Sequence, residues 1–283
     1  MKIAITAETT IDLPKEMQKE FDIHVVPFSV LLGEEIGYDG EITPETIFTY
    51  VDENKILPKT SAVNEYQFDE FFSGLLKEYD AIIHFSLSSA MSSAYNNALK
   101  TSKNYKNVYV IDSRSLSTGI ALLAIYASKL VKEGLEPQEI VAKVEKRIPH
   151  VQASFVLKAV DYLYKGGRCS ALSRFGALLL RIKPQIVVRD GVMQPGKKYF
   201  GKMVGCVKSY CADTLEEFTN PDLDVAFVTY SSATPEMIEA AHEALQARGF
   251  KHIYHTTASS TISSHCGPNC IGILFINDGG KVD

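Results

Sequence analysis

The chain has 283 residues, 46% of them hydrophobic and 22% charged, with a formal net charge of −5. That composition supplies real cores for one large domain or two of ordinary size and excludes a disordered or low-complexity chain. The acidic balance argues against the basic face a nucleic-acid partner requires, with Lys and Arg clustering only locally at Arg181/Lys183 and Lys197/Lys198/Lys202, and no apolar run approaches the roughly 18 residues of a membrane span.

The first half alternates strand and helix signals. Residues 1–8 meet an acidic side chain too early for a signal peptide and read as a first strand over 3–6, so a cytoplasmic location is expected. Thr10-Ile11-Asp12-Leu13-Pro14 opens a helix over 16–21, and 23–30 is β-rich. A helix is expected over 42–54, with Thr43 at its cap and Pro44 in its first turn, although Thr46 stands where a capping box wants Glu or Gln. The stretch 65–77 places Phe68, Phe71, Phe72, Leu75 and Leu76 at helical spacing, a stripe expected to belong to the core. A strand over 81–85, a helix over 92–102, a strand over 108–112 and helices over 117–132 and 137–147 follow. Repeated strand–helix units predict a mostly parallel sheet covered on both faces, with ligands at the carboxyl ends of its strands.

The second half changes character after residue 150. A strand is expected over 152–157, then a helix from Asp161 broken by Gly166-Gly167, a short apolar segment over 174–180 and a strand over 182–189 interrupted by Pro184. Asp190-Gly191 is a strong hairpin signal. A helix over 203–218, a strand over 224–230, a helix over 235–248 closed by Gly249, and strands over 252–256 and 271–277 complete the chain. The hairpin and mixed connections predict antiparallel pairing. The fold class expected is therefore α/β, with two α/β domains over 1–150 and 151–283: a mostly parallel sheet in the first and a mixed sheet in the second.

The segment Ser88-Ser89-Ala90-Met91-Ser92-Ser93 follows a buried strand and precedes a helix. A helix start offers unpaired N–H groups and the positive end of the dipole, and serine hydroxyls add donors beside them, which suits a phosphate or carboxylate. One serine suffices for N-capping, and four exceed it. Three further polar stretches share this look: Pro58-Lys59-Thr60-Ser61, Lys165-Gly166-Gly167-Arg168 and Ser264-His265-Cys266-Gly267-Pro268. Taken singly they have ordinary explanations as turns, a helix end and a core histidine. The five cysteines, at 169, 206, 211, 266 and 270, are expected to be reduced, and their spacing around His265 is poor for zinc, so no metal is expected.

In order along the chain, Glu8-Thr9-Thr10-Ile11-Asp12-Leu13-Pro14, Leu57-Pro58-Lys59-Thr60-Ser61, Ser88–Tyr95, Ile111–Gly119, Tyr162–Arg168 and His265–Pro268 resemble motifs of the DegV family of bacterial fatty-acid-binding proteins (FakB type). The resemblance covers essentially the whole chain. It implies a long-chain fatty acid in an apolar tunnel, with the carboxylate held at Thr60, Ser61, Ser92, Ser93 and His265, no cofactor, and a carrier role. It also implies a separate fatty acid kinase that converts the bound carboxylate to an acyl phosphate, with Arg168 and Lys202 facing that partner or the phosphate, and transient contact with a membrane surface. The chain departs from the family pattern at Ala62-Val63-Asn64, at Ser93-Ala94 and near Phe200. The alternative from a different class is a lipid ester hydrolase or acyltransferase using Ser92 as nucleophile and His265 as base, although the Gly-x-Ser-x-Gly elbow is missing.

Overall fold

A computed structural model describes residues 1–173, 176 and 181–280; the apolar segment expected over 174–180 lies outside them apart from Gly176. The first part runs β1 (Ile3–Glu8), α1 (Lys15–Glu20), β2 (Ile23–Val26), β3 (Ser29–Leu32), β4 (Glu35–Tyr38), α2 (Pro44–Asn54), β5 (Lys59–Ser61), α3 (Glu65–Leu75), β6 (Ala81–Ser86), α4 (Ala94–Ser102), β7 (Val108–Asp112), α5 (Thr118–Lys132) and α6 (Pro137–Arg147). Four of these strands form a wholly parallel sheet in the order β2-β1-β6-β7. Every residue of β1 and β6 is buried, as strands covered on both faces are.

Pro27 has no N–H to continue a ladder, and β2 stops before it. The chain then peels away into a small antiparallel sheet, β4-β3-β5. The sequence reading merged β2 and β3 into one stretch and passed over β4, whose side chains are mostly exposed and carry no alternation.

The second part runs β8 (Val151–Val156), α7 (Asp161–Lys165), β9 (Lys183–Arg189), β10 (Val192–Tyr199), α8 (Met203–Glu217), β11 (Val225–Tyr230), α9 (Pro235–Arg248), β12 (His252–Thr257), α10 (Ser260–Cys266) and β13 (Ile271–Ile276). Its six-stranded sheet, ordered β10-β9-β8-β13-β11-β12, is mixed, with only β11 and β12 parallel. The α/β class and the contrast between a parallel and a mixed sheet are as the sequence predicts.

Asp190 and Gly191 both take positive φ, 52° and 79°, and close the β9–β10 hairpin as the dipeptide predicts. Pro184 does not interrupt β9. It sits inside the strand opposite Lys198, past a register shift in β10, and its carbonyl accepts the Leu157 N–H. The larger correction is α10: the stretch around His265, read as a polar loop, is a helix.

The helix expected over 117–132 is α5, whose apolar residues 120–127 lie at its centre; it touches β1 and β6 of the first sheet and β8, β11 and β13 of the second. A helix buried on nearly all sides suits that double contact. One apolar cluster therefore runs through both sheets. Phe68 and Phe72 lie fully inside it, as expected of a core stripe.

Candidate ligand-binding site

The serine loop leaves β6 over a buried carboxylate. Glu8 accepts the Ser86 hydroxyl at 2.5 Å and the Leu87 N–H at 3.0 Å, with His84 Nε2 at 3.3 Å. The four serines then divide their work. Ser88 donates to the Gly191 carbonyl at 2.7 Å and pins the hairpin tip, and Ser89 donates through both its hydroxyl and its N–H to Asp112. Ser92 accepts the Ala94 N–H at 3.2 Å, which leaves its O–H proton available, and Ser93 makes no capping bond. Two serines fasten the loop; the other two line a cavity.

Helix α10 forms the opposite wall, and carboxylates from the first part of the chain hold its start. Asp39 accepts the Ser260 and Thr261 N–H groups at 2.9 and 3.1 Å and the Thr9 hydroxyl at 3.1 Å. Asp12 accepts the Ser259 N–H at 2.8 Å and the Ser117 hydroxyl. Burial pushes Asp12 up to about 7, against the lowering effect of those hydrogen bonds.

His265 sits one turn further along α10. Its Nε2 and the Thr60 hydroxyl are hydrogen-bonded at 2.9 Å. Its Nδ1 has no partner among the described residues and lies against Gly166, where an added Cβ would approach it to 2.9 Å. Burial first, and the Arg168 charge second, push His265 down to about 4, so the ring is neutral at pH 7. Arg168 is exposed and donates to the Gly166 carbonyl at 2.8 Å.

These pieces enclose about 300 Å³. Thr60, Ser61, Ser92, Ser93, His265 and Arg168 contribute polar groups to the lining, while Phe28, Leu87, Met91, Leu116, Leu163 and Met193 make it apolar elsewhere; Thr261 borders the cavity with its hydroxyl buried. A second, separate cavity of about 30 Å³ shares the lining residues Leu116, Ile262 and Cys266 with the first and is bordered by Phe155 and Leu274 between the sheets. The arrangement offers hydroxyl and cationic donors beside apolar side chains.

Six of the seven sequence-derived candidates thus gather in one place. Lys202 does not: it precedes α8 beyond the end of β10 opposite Met193, roughly 20 Å of strand away from that residue. Sequence reasoning missed Asp39, which no motif marked, and Thr261, which sits in a segment too rich in Ser and Thr to read as helix. Asp12 lay within a quoted motif without a role. No hydrogen bond joins Ser92 to His265 among the described residues, because one imidazole nitrogen faces Thr60 and the other Gly166. All five cysteines are buried, and none forms a disulfide.

A family profile described as "Uncharacterised protein, DegV family" matches residues 2–278. A DegV domain-containing protein of Caldanaerobacter subterraneus is 28% identical over 279 residues, covering 97% of this chain and 98% of its own. Among solved structures, Bacillus subtilis DegV, described as a fatty acid binding protein, is 26% identical with a TM-score of 0.85, covering 98% of this chain and all of its own. A DegV family protein of Thermus thermophilus, whose structure is described by its fatty acid binding, superposes with a TM-score of 0.90 at 24% identity, covering 98% of this chain and all of its own.

Proposed function

The chain belongs to the DegV family, and we propose that it is a non-catalytic carrier holding a long-chain fatty acid with its carboxylate at Thr60, Ser92 and His265. The observation that carries this reading is the cavity itself, where polar groups from separate segments stand beside apolar side chains, with a small apolar cavity adjoining it between the sheets. With His265 neutral and Nε2–H donating to Thr60, the Thr60 hydroxyl is left to donate outward, as is Ser92. Arg168 adds positive charge, and Ser61 and Ser93 lie at the exposed rim. Such donors favour an anion whose desolvation is otherwise costly.

Burying a tail of roughly sixteen carbons yields on the order of 10 kcal/mol at about 0.8 kcal/mol per CH₂, before ordering costs. Against a membrane that gain nearly vanishes, because lipid is equally apolar. Retention therefore rests on the head group. In the same proposal the exposed rim presents the carboxylate to a separate fatty acid kinase, which forms an acyl phosphate while the tail stays buried; Arg168 faces the transferred phosphate, and Lys202 serves a more distant contact with that partner. Release and reloading then occur at a membrane surface. No cofactor takes part. A hydrolase using Ser92 lacks its base, since no hydrogen bond joins Ser92 to His265 among the described residues, Nε2 is engaged with Thr60 and the ring, pushed down to about 4 by burial, is a poor proton acceptor.

Native mass spectrometry of the purified protein tests the proposal. A non-covalently bound long-chain fatty acid is expected, and Thr60→Ala and Ser92→Ala are each expected to weaken binding about tenfold to a hundredfold, the range for a hydrogen bond to a charged group. A protein that stays empty after incubation with fatty acids, or a serine-reactive probe that labels Ser92, contradicts it.

A further inference from the structure

Among the described residues, two histidines meet at one place. His242 on α9 and His255 on β12 are 13 residues apart in sequence, yet His242 Nδ1 and His255 Nε2 lie 2.9 Å from each other, with the rings nearly perpendicular at 86°. Neither residue lines the candidate lipid cavity.

The fold sets this pair. β11, α9 and β12 form a parallel strand–helix–strand unit, with Val228 of β11 in register with His255. Ile253 of β12 packs in the same apolar cluster as Met237, Ala240, Ala241 and Leu245 of α9. His255, two residues on, projects from the same face of the strand. His242 follows buried Ala241 and is itself half-buried. Both imidazoles are carried on regular elements, which hold a constellation more closely than loops do.

A shared proton accounts for the contact, and the same convergence suits a metal ion. Burial first, and His242 second, hold His255 below the usual imidazole range, so its ring is neutral at pH 7. Two neutral rings need only carry their N–H on the far nitrogens, His242 Nε2 and His255 Nδ1, to turn both near lone pairs inward with no net loss of protons. Metal–imidazole bonds run about 2.0–2.1 Å, so two nitrogens at a right angle about one ion stand about 2.9 Å apart, whereas a tetrahedral angle spreads them to about 3.3 Å. The distance here is the right-angle value. Right-angled nitrogen and oxygen sites belong to Cu(II) and Ni(II). Glu239, exposed one turn before His242, places a negative charge near His255 and favours a cation there. Among the described residues no group of three or more His, Cys, Asp or Glu is placed to hold a metal, so water takes the remaining positions.

We propose that His242 and His255 form a surface site for a divalent transition-metal ion of right-angled coordination, Cu(II) or Ni(II), completed by water. The site neither requires the fatty-acid reading nor follows from it.

The test is titration of the untagged, metal-free protein with Cu(II), and separately with Ni(II), at pH 7.5 in a non-coordinating buffer. Binding is read by calorimetry and, for Cu(II), by electron paramagnetic resonance. One equivalent is expected to bind, with a tetragonal Cu(II) spectrum split by two nitrogens. His242→Gln and His255→Gln are each expected to weaken binding at least about tenfold and to remove the two-nitrogen splitting, since even an outer contact of a ligand is worth about that much. His252→Gln, on the same strand, is expected to change neither. Unfolding midpoints of the metal-free variants separate lost binding from lost fold. No binding by wild type, or binding that survives both substitutions and is therefore an adventitious ion only, overturns the inference.

Discussion

Asp12 and His265 bracket α10 and shift in opposite directions, each for want of water. For His265 the folded value near 4 lies below the ordinary 6.5, so the unfolded state binds more protons between them, and its share of stability is present above 6.5 and lost as pH falls toward 4. For Asp12 the folded value near 7 lies above 3.8, so the folded state binds more protons and stability falls as pH rises from 3.8 to 7. Asn at position 12 tolerates the φ of 57° and keeps an acceptor for the Ser259 N–H. Asp12→Asn is therefore expected to lose less stability than wild type between pH 5 and 7.5, read from urea midpoints; identical slopes would show that Asp12 does not titrate there. Gly166 is constrained by space and not by φ, since a Cβ would meet Tyr162 O at 2.7 Å and His265 Nδ1 at 2.9 Å. Gly166→Ala is expected to push His265 off Thr60 and weaken fatty-acid binding about tenfold, the loss of one hydrogen bond to a charged group. Unchanged affinity would mean that the imidazole does not position Thr60.

Helix α10 brings His265 and Thr261 to the cavity, and its start is set by carboxylates remote in sequence. Asp39→Ala removes the acceptor for two of its amides. Loss of a cap costs about 1 kcal/mol. Hydrogen exchange at residues 260 and 261 is expected to accelerate several-fold, with weaker ligand binding; unchanged protection would show that α10 holds itself. The same contacts explain what the sequence concealed. A run of Ser and Thr favours non-helical local hydrogen bonds; Ser259 caps α10 locally by accepting the Ile262 N–H, but the bonds its first amides make to Asp12 and Asp39 are ones no local pattern reveals. The small sheet of β3, β4 and β5 was hidden for a similar reason: strands of three and four residues carry too few alternations to register. Where the signal is local, it was legible. Thr43 accepts the Thr46 N–H as its cap position implies, Gly249 closes α9 at a φ of 98°, and Asp190-Gly191 turns the hairpin. The cavity residues Thr60, Ser92 and His265 were legible as motifs, but not the unequal duties of the four serines, because those depend on Gly191 and Asp112.

At the scale of the molecule, α5 touches both sheets, and the cavity takes Thr60 and Ser92 from one part of the chain and Arg168, Met193 and His265 from the other. Neither part completes the site alone. Unfolding is accordingly expected as one cooperative transition that shifts upward with fatty acid concentration, measured by calorimetry; two transitions, only one of them ligand-dependent, would contradict this coupling. The most direct test of the account is a crystal structure of the protein with a bound long-chain fatty acid. The account predicts the carboxylate within hydrogen-bond distance of Thr60 Oγ1 and Ser92 Oγ, and the chain running past Leu116 and Ile262 between the sheets. A ligand bound in the reverse direction, or in another cavity altogether, would contradict it.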